Sequence, residues 1–211
     1  MATTTGEGHL NTVTRAYREQ RNELSSLRAM QAMLGDLLEA SREAPQESLL
    51  MERLDRVLAV TCTALCAQTG AVLICEQDGA LVFVSAHGAP SQSLLWKRVE
   101  RKVGVAGWVV QKRKAVTVNN ASMDDRFYSG IDSETGFRTQ SLLAAPILAH
   151  SGSPLGVLEL VNKDGGELFS SSDLRSLNLV AHAVGLVLEG LTESVDGLIT
   201  GRMAAQHRAA S

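Results

Sequence analysis

This chain has few aromatic residues, no long apolar runs and no large excess of charge of either sign. Aromatics make up only 4% of its 211 residues, so a folded core must be built mainly from Leu, Val and Ala. No run of about 18 apolar residues is present to cross a membrane, and the N-terminus lacks the basic and apolar regions of a secretion signal. The net charge of −3 gives no electrostatic case for nucleic-acid binding. These absences predict a soluble cytoplasmic protein that binds neither membranes nor nucleic acids.

Cysteines are few, and their arrangement is not that of a metal or catalytic site. Their number, three, is odd, and their spacing is not that of a zinc site. Cys62 and Cys66 lie four residues apart on a predicted helix, where small buried thiols are common. Cys75 lies on a predicted strand, and nothing marks it as a reactive thiol. No Walker loop or catalytic-triad spacing is present either. We therefore predict no metal site, no cofactor and no catalytic residue.

What the chain does contain is enough apolar sequence, 45% by composition, for one domain with helical extensions. Residues 1–9 are polar and predicted to be a disordered tail, and residues 196–211 a flexible one. Residues 10–44 carry a heptad pattern that favours a coiled-coil dimerisation helix over an amphipathic helix packed on its own domain. The seam positions are Leu10, Tyr17, Leu24, Gln31 and Leu38, alternating with Val13, Gln20, Leu27 and Leu34.

Residues 46–195 alternate between helical and strand patterns and are predicted to form the domain. A helix from Glu47 to Gln68 ends at Gly70, and two β runs flank Asp78-Gly79, a strong hairpin signal. A basic helical piece over 95–102, a Gly-rich turn with a short helix over 103–111 and a strand over 115–120 follow. A second hairpin then leads to a long helix that starts at Ser171 or Ser172. This order predicts an α+β fold, an antiparallel sheet with helices on one face.

A polar segment interrupts this pattern over residues 121–139, here called the lid. From Gly130 to Ser141 only Ile131 and Phe137 are large and apolar, and an apolar run follows at once. A loop so rich in short polar side chains is either a cover over a ligand or a solvated connector.

The order of motifs around the lid resembles that of a GAF domain. VGVAGWVV is followed by Asn119-Asn120, DDRFYSGIDSETGFRTQSLLAAPI, LGVLELVNK and Phe169-x-x-x-Asp173. More narrowly, the run is similar to the cyclic-nucleotide-binding GAF domains of cyclic nucleotide phosphodiesterases and cyanobacterial adenylyl cyclases. The resemblance covers about residues 48–192 and implies a GAF-like, PAS-related fold.

The resemblance also implies a ligand site for cAMP or cGMP. The backbone N–H groups of the Gly104–Gly107 turn would bind the cyclic phosphate, which agrees with the affinity of helix N-termini for anions. Glu159 would bind the ribose–phosphate side, although strand alternation also allows it to face solvent. The lid hydroxyls and acid could equally be ordinary turn residues. The implied ligand-binding positions are Val105, Ala106, Tyr128, Asp132, Thr135, Thr139 and Glu159.

Four further matches imply a structural brace that secures the lid, namely Asn162, Lys163, Phe169 and Asp173, with an ion pair between Lys163 and Asp173. The family's last Glu is replaced here by Leu174.

Two positions depart from the family pattern. Ala71 stands where a small hydroxyl residue is common, and Ala86-His87 stands where an aromatic-acid pair reads the purine. Alanine cannot stack on a base, so base packing must come from elsewhere. His87 is a candidate base contact, although a histidine at a strand end is more often a surface residue.

The resulting hypothesis is a non-catalytic sensor that binds cAMP or cGMP and acts as a homodimer on a downstream protein. A ligand-free GAF scaffold, or a sensor of another small effector such as haem, is the alternative. Some GAF proteins reduce free methionine sulfoxide with cysteines near the pocket, but no cysteine lies in this lid.

Overall fold

The computed structural model describes residues 47–89 and 91–190, with six isolated positions. Those positions are Arg28, Gln31, Ala32, Gly35, Gly197 and Gly201. The coiled coil predicted over 10–44 and the tails predicted over 1–9 and 196–211 therefore lie almost wholly outside the described residues. The predicted domain is described from Glu47 to Gly190, apart from Pro90.

Five helices and six strands make up the described domain. The helices are α1 (Glu47–Ala64), α2 (Ser91–Leu94), α3 (Gly104–Lys112), α4 (Gly130–Thr135) and α5 (Ser171–Glu189). The strands are β1 (Ala67–Cys75), β2 (Leu81–His87), β3 (Arg98–Val99), β4 (Val116–Val118), β5 (Leu142–Leu148) and β6 (Pro154–Lys163). Short 3₁₀ turns occupy Ala121–Met123 and Asp164–Gly166. In the described part of the chain no helix is long and apolar enough to span a bilayer.

The strands form one antiparallel sheet in the order β3-β2-β1-β6-β5-β4. Both predicted hairpins are present. In the first, Gly79 adopts a left-handed φ of +85° in the predicted Asp-Gly turn. The two outer strands are short, since β3 has two residues and β4 has three.

Each face of the sheet packs against a different layer. The long helices α1 and α5 cover one face, as predicted, and bury a core that includes Leu58, Leu158 and Leu160. Helix α3 and the lid cover the other face, where Val109 and Val157 are buried. Because side chains alternate along β6, Glu159 lies on the α3 face, between residues that face the long helices.

Two predictions of local structure were wrong. Helix α1 ends at Ala64, four residues before the predicted end, and Gly70 lies inside β1, paired with Leu160 of β6. The basic piece over 95–102 contains β3 instead of a helix, because the Trp96 N–H and the Lys97 carbonyl bond the backbone of Phe83. Helix α5 begins at Ser171, one of the two predicted starts, and its N-cap is Ser170. Its hydroxyl accepts a hydrogen bond from the backbone N–H of Asp173 at 3.1 Å.

Candidate functional site

A pocket lies between the sheet, helix α3 and the lid. It encloses about 800 Å³, including space open to solvent. Most of its surface is apolar. Its lining comes from the strands (Thr69, Gly70, Ala71, Leu73, Phe83, Val99, Leu142, Glu159 and Val161), from the region of α2 and α3 (Leu94, Val103, Gly104, Val105 and Ala106) and from the lid (Phe127, Tyr128, Ile131, Asp132, Thr135, Phe137 and Thr139).

This α3–lid pocket collects seven of the eight predicted ligand-binding residues. They are Val105, Ala106, Tyr128, Asp132, Thr135, Thr139 and Glu159. The eighth, His87, does not line the pocket. Its side chain is exposed at the end of β2, and its backbone carbonyl accepts a hydrogen bond from the Thr69 hydroxyl at 2.5 Å.

One end of the pocket is the N-terminus of α3. Its N-cap, Val103, has no side-chain oxygen, so no side chain caps the first turn of the helix. Val105 and Ala106 are buried in this turn and line the pocket. Gly104 has a left-handed φ of +73°, and a Cβ there would lie 3.5 Å from the Cβ of Tyr128. The lid therefore approaches a helix end whose N–H groups suit an anion.

A single buried carboxylate faces the pocket from the central strand β6. Glu159 is 9% exposed, and its cross-strand partners are Ala71 and Ala144. Alanine has no side-chain donor, and nothing in residues 47–89 and 91–190 hydrogen-bonds this carboxylate. Burial raises the pKa of Glu159 from 4.5 to about 7, because desolvation penalises the charged form. Glu159 can therefore exist as an acid or as a carboxylate near neutral pH.

The lid is held in a compact shape by its own polar groups. The carboxylate of Asp132 accepts hydrogen bonds from the Thr139 backbone N–H and from the Thr139 hydroxyl, both at 2.7 Å. The Thr135 hydroxyl donates to the Ile131 carbonyl at 2.8 Å and accepts from the Phe137 N–H at 3.2 Å. These bonds close the loop after α4 onto its first turn, so the lid forms an ordered roof.

Two contacts outside the predicted site fasten the lid to its surroundings. The guanidinium of Arg126 lies over the Trp108 ring of α3, 4.5 Å from its centre, and makes two hydrogen bonds to Asp124 at 2.6 and 2.8 Å. Hydrogen bonding by Arg126 holds the pKa of Asp124 below its usual value. Lys97 also forms an ion pair with Glu134 of α4. A lone tryptophan in an otherwise aliphatic helix was the one sequence signal for the first contact.

Asn162, predicted as part of a brace, ties the end of the lid to the sheet. Its side-chain oxygen accepts from the backbone N–H groups of Gln140 and Ser141, at 2.7 and 3.2 Å. Its amide nitrogen donates to the Arg138 carbonyl at 2.9 Å and to the Gln68 side chain at 3.2 Å. Asn162 has a left-handed φ of +56°, which asparagine tolerates better than most residues.

The rest of the predicted brace lies beside Asn162. Lys163 and Asp173 form an ion pair at 2.9 Å between two largely buried side chains, 11% and 14% exposed. The ammonium group of Lys163 also lies 5.5 Å from the centre of the Phe169 ring. Asn119 holds the backbone of Phe169 through hydrogen bonds at 2.9 and 3.0 Å. This cluster joins β6, the segment after β4 and the start of α5.

Sequence reasoning missed several pocket residues. Thr69 follows the predicted end of the first helix and was given no role, and the apolar walls contributed by Phe83 and Leu94 carried no motif. The three cysteines all lie in the described ranges, and none lines the pocket. Burial raises the pKa of Cys62 to about 12 and that of Cys75 to about 11, which keeps both thiols protonated. Within the described ranges, no cluster of three or more His, Cys, Asp or Glu side chains could hold a metal ion.

Comparison with known proteins gives a family match and informative relatives. The model of the family described as GAF domain matches residues 50–188. The dual 3′,5′-cyclic-AMP and -GMP phosphodiesterase 11 of Drosophila melanogaster is 43% identical over 76 residues, which are 36% of this chain and 5% of that protein. A probable 3′,5′-cyclic phosphodiesterase of Caenorhabditis elegans is 35% identical over 91 residues, or 43% of this chain and 12% of that protein. The chain thus matches small parts of these long relatives.

Solved structures share the fold at low sequence identity. The GAF domain of a phosphoenolpyruvate-protein phosphotransferase from Coxiella burnetii superposes with a TM-score of 0.66 at 20% identity, covering 82% of this chain and 99% of that one. A free methionine-R-sulfoxide reductase from Neisseria meningitidis gives a TM-score of 0.61 at 16% identity, covering 80% and 93%. Because the second neighbour is an enzyme, the shared fold alone does not indicate function.

Proposed function

Because the chain belongs to the GAF domain family, whose family model matches residues 50–188, we propose that it is a non-catalytic sensor that binds a 3′,5′-cyclic nucleotide in the α3–lid pocket. The observation that carries this proposal is the convergence of seven predicted ligand residues on one pocket. The names of its relatives, phosphodiesterases of cyclic AMP and cyclic GMP, support the ligand class.

The pocket offers complementary chemistry at its two ends. The uncapped N-terminus of α3 suits the cyclic phosphate, since its free N–H groups and dipole favour an anion. Glu159 needs a hydrogen-bond donor, which a ribose hydroxyl can supply. Phe83, Phe127 and Phe137 line the pocket and offer apolar surface to a purine in place of Ala86. Base–aromatic contacts of this kind are worth roughly 1–3 kcal/mol.

Signalling would follow from a change in the lid. The lid is already fastened to α3 by Arg126 and to the end of β6 by Asn162. A nucleotide that contacts both α3 and the lid would favour the closed arrangement over any open one. A homodimer built on the predicted coiled coil would then pass this shift to a downstream protein.

Calorimetric titration tests the proposal directly. Purified protein is stripped of nucleotide, checked for bound ligand by mass spectrometry, and titrated with cAMP and with cGMP. We expect micromolar or tighter binding of at least one nucleotide, and a tenfold or greater loss in Thr139→Ala and Glu159→Gln, since hydrogen bonds to charged groups contribute about 1.5–3 kcal/mol. The matched control is Glu52→Gln, an exposed carboxylate on α1. No heat with either nucleotide from folded protein would refute the proposal.

A ligand-free scaffold is the second candidate, and two observations favour it. Asp132 and Thr139 satisfy each other without a ligand, and Ala71 brings no polar group to the pocket. For a scaffold, light scattering of stripped protein would give a dimer mass unchanged by either nucleotide, and calorimetry would remain silent.

A further inference from the structure

A second cavity lies beside the C-terminal half of α3, and no lid residue lines it. It encloses about 780 Å³, including space open to solvent. Its walls come from the turn between β1 and β2, the residues before α3, and the C-terminal half of α3. It shares no lining residue with the α3–lid pocket. We call it the basic cavity, because Arg101, Lys102 and Arg113 all line it.

The three cations that line this cavity are not ion-paired in the described ranges, although acids lie nearby. Glu76 is the one acidic residue among its lining residues, and its carboxylate accepts a hydrogen bond from Arg98 at 2.6 Å. Arg98 also pairs with Asp78 and Glu100, so three carboxylates share one guanidinium and keep a net negative charge beside the lining cations. Within the described ranges, none of the three lining cations forms an ion pair.

The backbone conformation fixes the positions from which two of these cationic side chains extend. Lys102 and Arg113 have left-handed φ values of +68° and +54°, a region in which glycine is favoured. The Lys102 backbone packs directly on α3, since a Cβ at Gly107 would lie only 2.5 Å from the Lys102 carbonyl carbon. Across the cavity, a Cβ at Gly79 would lie 2.9 Å from Cδ of Arg101. The backbone of Lys102 therefore packs against Gly107, and the side chain of Arg101 packs against Gly79. The side chains of Lys102 and Arg101 line the same concave space.

We propose that the basic cavity binds a small phosphorylated anion, at a site separate from the α3–lid pocket. Guanidinium groups bind phosphate oxygens through paired N–H donors, and a lysine adds a compact positive charge. The Gln111 amide, which also lines the cavity, supplies a further donor. The cavity has the size of a small-molecule site. The proposal does not depend on the ligand of the other pocket.

Inorganic pyrophosphate is the probe for this site. It is titrated into ¹⁵N-labelled full chain, with amide shifts followed at low salt and at physiological salt. We expect saturable shifts at Gly79, Lys102 and Gln111, with affinity falling as salt rises. Shifts confined to Gly104, Val105 and Ala106 would place the anion in the α3–lid pocket and overturn the proposal, as would the absence of saturation at low salt.

Variants distinguish a site from diffuse surface charge. Arg101→Gln should weaken pyrophosphate binding at least fivefold. Lys102→Gly should do the same while relieving the left-handed backbone, so its loss of binding cannot come from strain. The control is Lys112→Gln, an exposed cation of α3 that does not line the cavity, and its affinity should stay within twofold of the parent. Equal losses in Arg101→Gln and Lys112→Gln would overturn the proposal.

Discussion

Ionisation of Glu159 should make the folded domain less stable as the pH rises through neutrality. Burial raises the pKa of this carboxyl from 4.5 to about 7. Its cross-strand partners, Ala71 and Ala144, carry no donor that could stabilise the ionised form. In the unfolded chain the same group is solvated and titrates near 4.5. The folded state therefore holds a proton, between these two pH values, that the unfolded state has released.

The sign and size of the effect follow from linkage. Where the folded state binds more protons, the free energy of unfolding falls as the pH rises. The contribution is favourable and complete below about pH 4.5 and is lost as the pH rises through 7. A shift of about 2.5 units, at about 1.36 kcal/mol per unit, amounts to roughly 3 kcal/mol.

Urea unfolding of nucleotide-free protein at pH 5, 6, 7 and 8 measures this loss. Glu159→Gln removes the titration with little change of shape. Because part of the contribution is already lost at pH 5, its stability relative to the parent should rise by about 2.5 kcal/mol from pH 5 to pH 8. Histidines and other titrating groups are common to both proteins and cancel in the difference. A Glu159→Gln difference constant to within about 0.5 kcal/mol across this range would refute the reasoning.

Three further substitutions test neighbouring contacts. Ala71→Ser places a hydroxyl opposite Glu159 and should raise stability by about 1 kcal/mol at pH 8 but not at pH 5; equal urea midpoints at pH 8 would contradict this. Asn162→Ala removes the hydrogen bonds that hold the end of the lid and should lower the free energy of unfolding by about 3 kcal/mol. Asn162→Gly should recover about 1 kcal/mol of this, because glycine accepts a φ of +56°. Arg126→Ala loses its contact with Trp108, worth about 0.5–1 kcal/mol, and should speed amide hydrogen exchange in the lid. Unchanged lid exchange would show that this contact does not hold it.

The sequence predicted the layers of the fold because local patterns agree with it. The Asp78-Gly79 turn, the alternation along β6 and the apolar face of α5 each carry their own signal. The end of α1 could not be placed in the same way, since Leu65 continues the helical pattern beyond Ala64. There Cys66, at φ of +52°, turns the chain into β1. The segment 95–102 has a helical pattern of its own. It contains β3 because its backbone bonds to Phe83, and no local pattern reveals those bonds.

The candidate site was predictable where its residues belong to one local sequence pattern. The lid residues and Glu159 belong to one recognisable run, and the structure brings them to a single pocket. The sequence alone left open whether Glu159 faces solvent or the pocket. The answer depends on which face of strand β6 is covered by helix α3, and that is a property of the tertiary structure. The contact of Arg126 with Trp108 joins residues 18 positions apart and has no spacing rule. The exposed position of His87 likewise depends on where β2 ends relative to the lid.

The shortness of the two outer strands has a consequence for how this chain can associate. A long flat edge offers unpaired backbone groups on which the strand of another molecule can add. Here one border consists of two residues, Arg98 and Val99, and the other of three, Val116–Val118. Neither border offers a template of useful length. Copies of the described domain that meet at high concentration therefore have little means of joining sheet to sheet through these two borders.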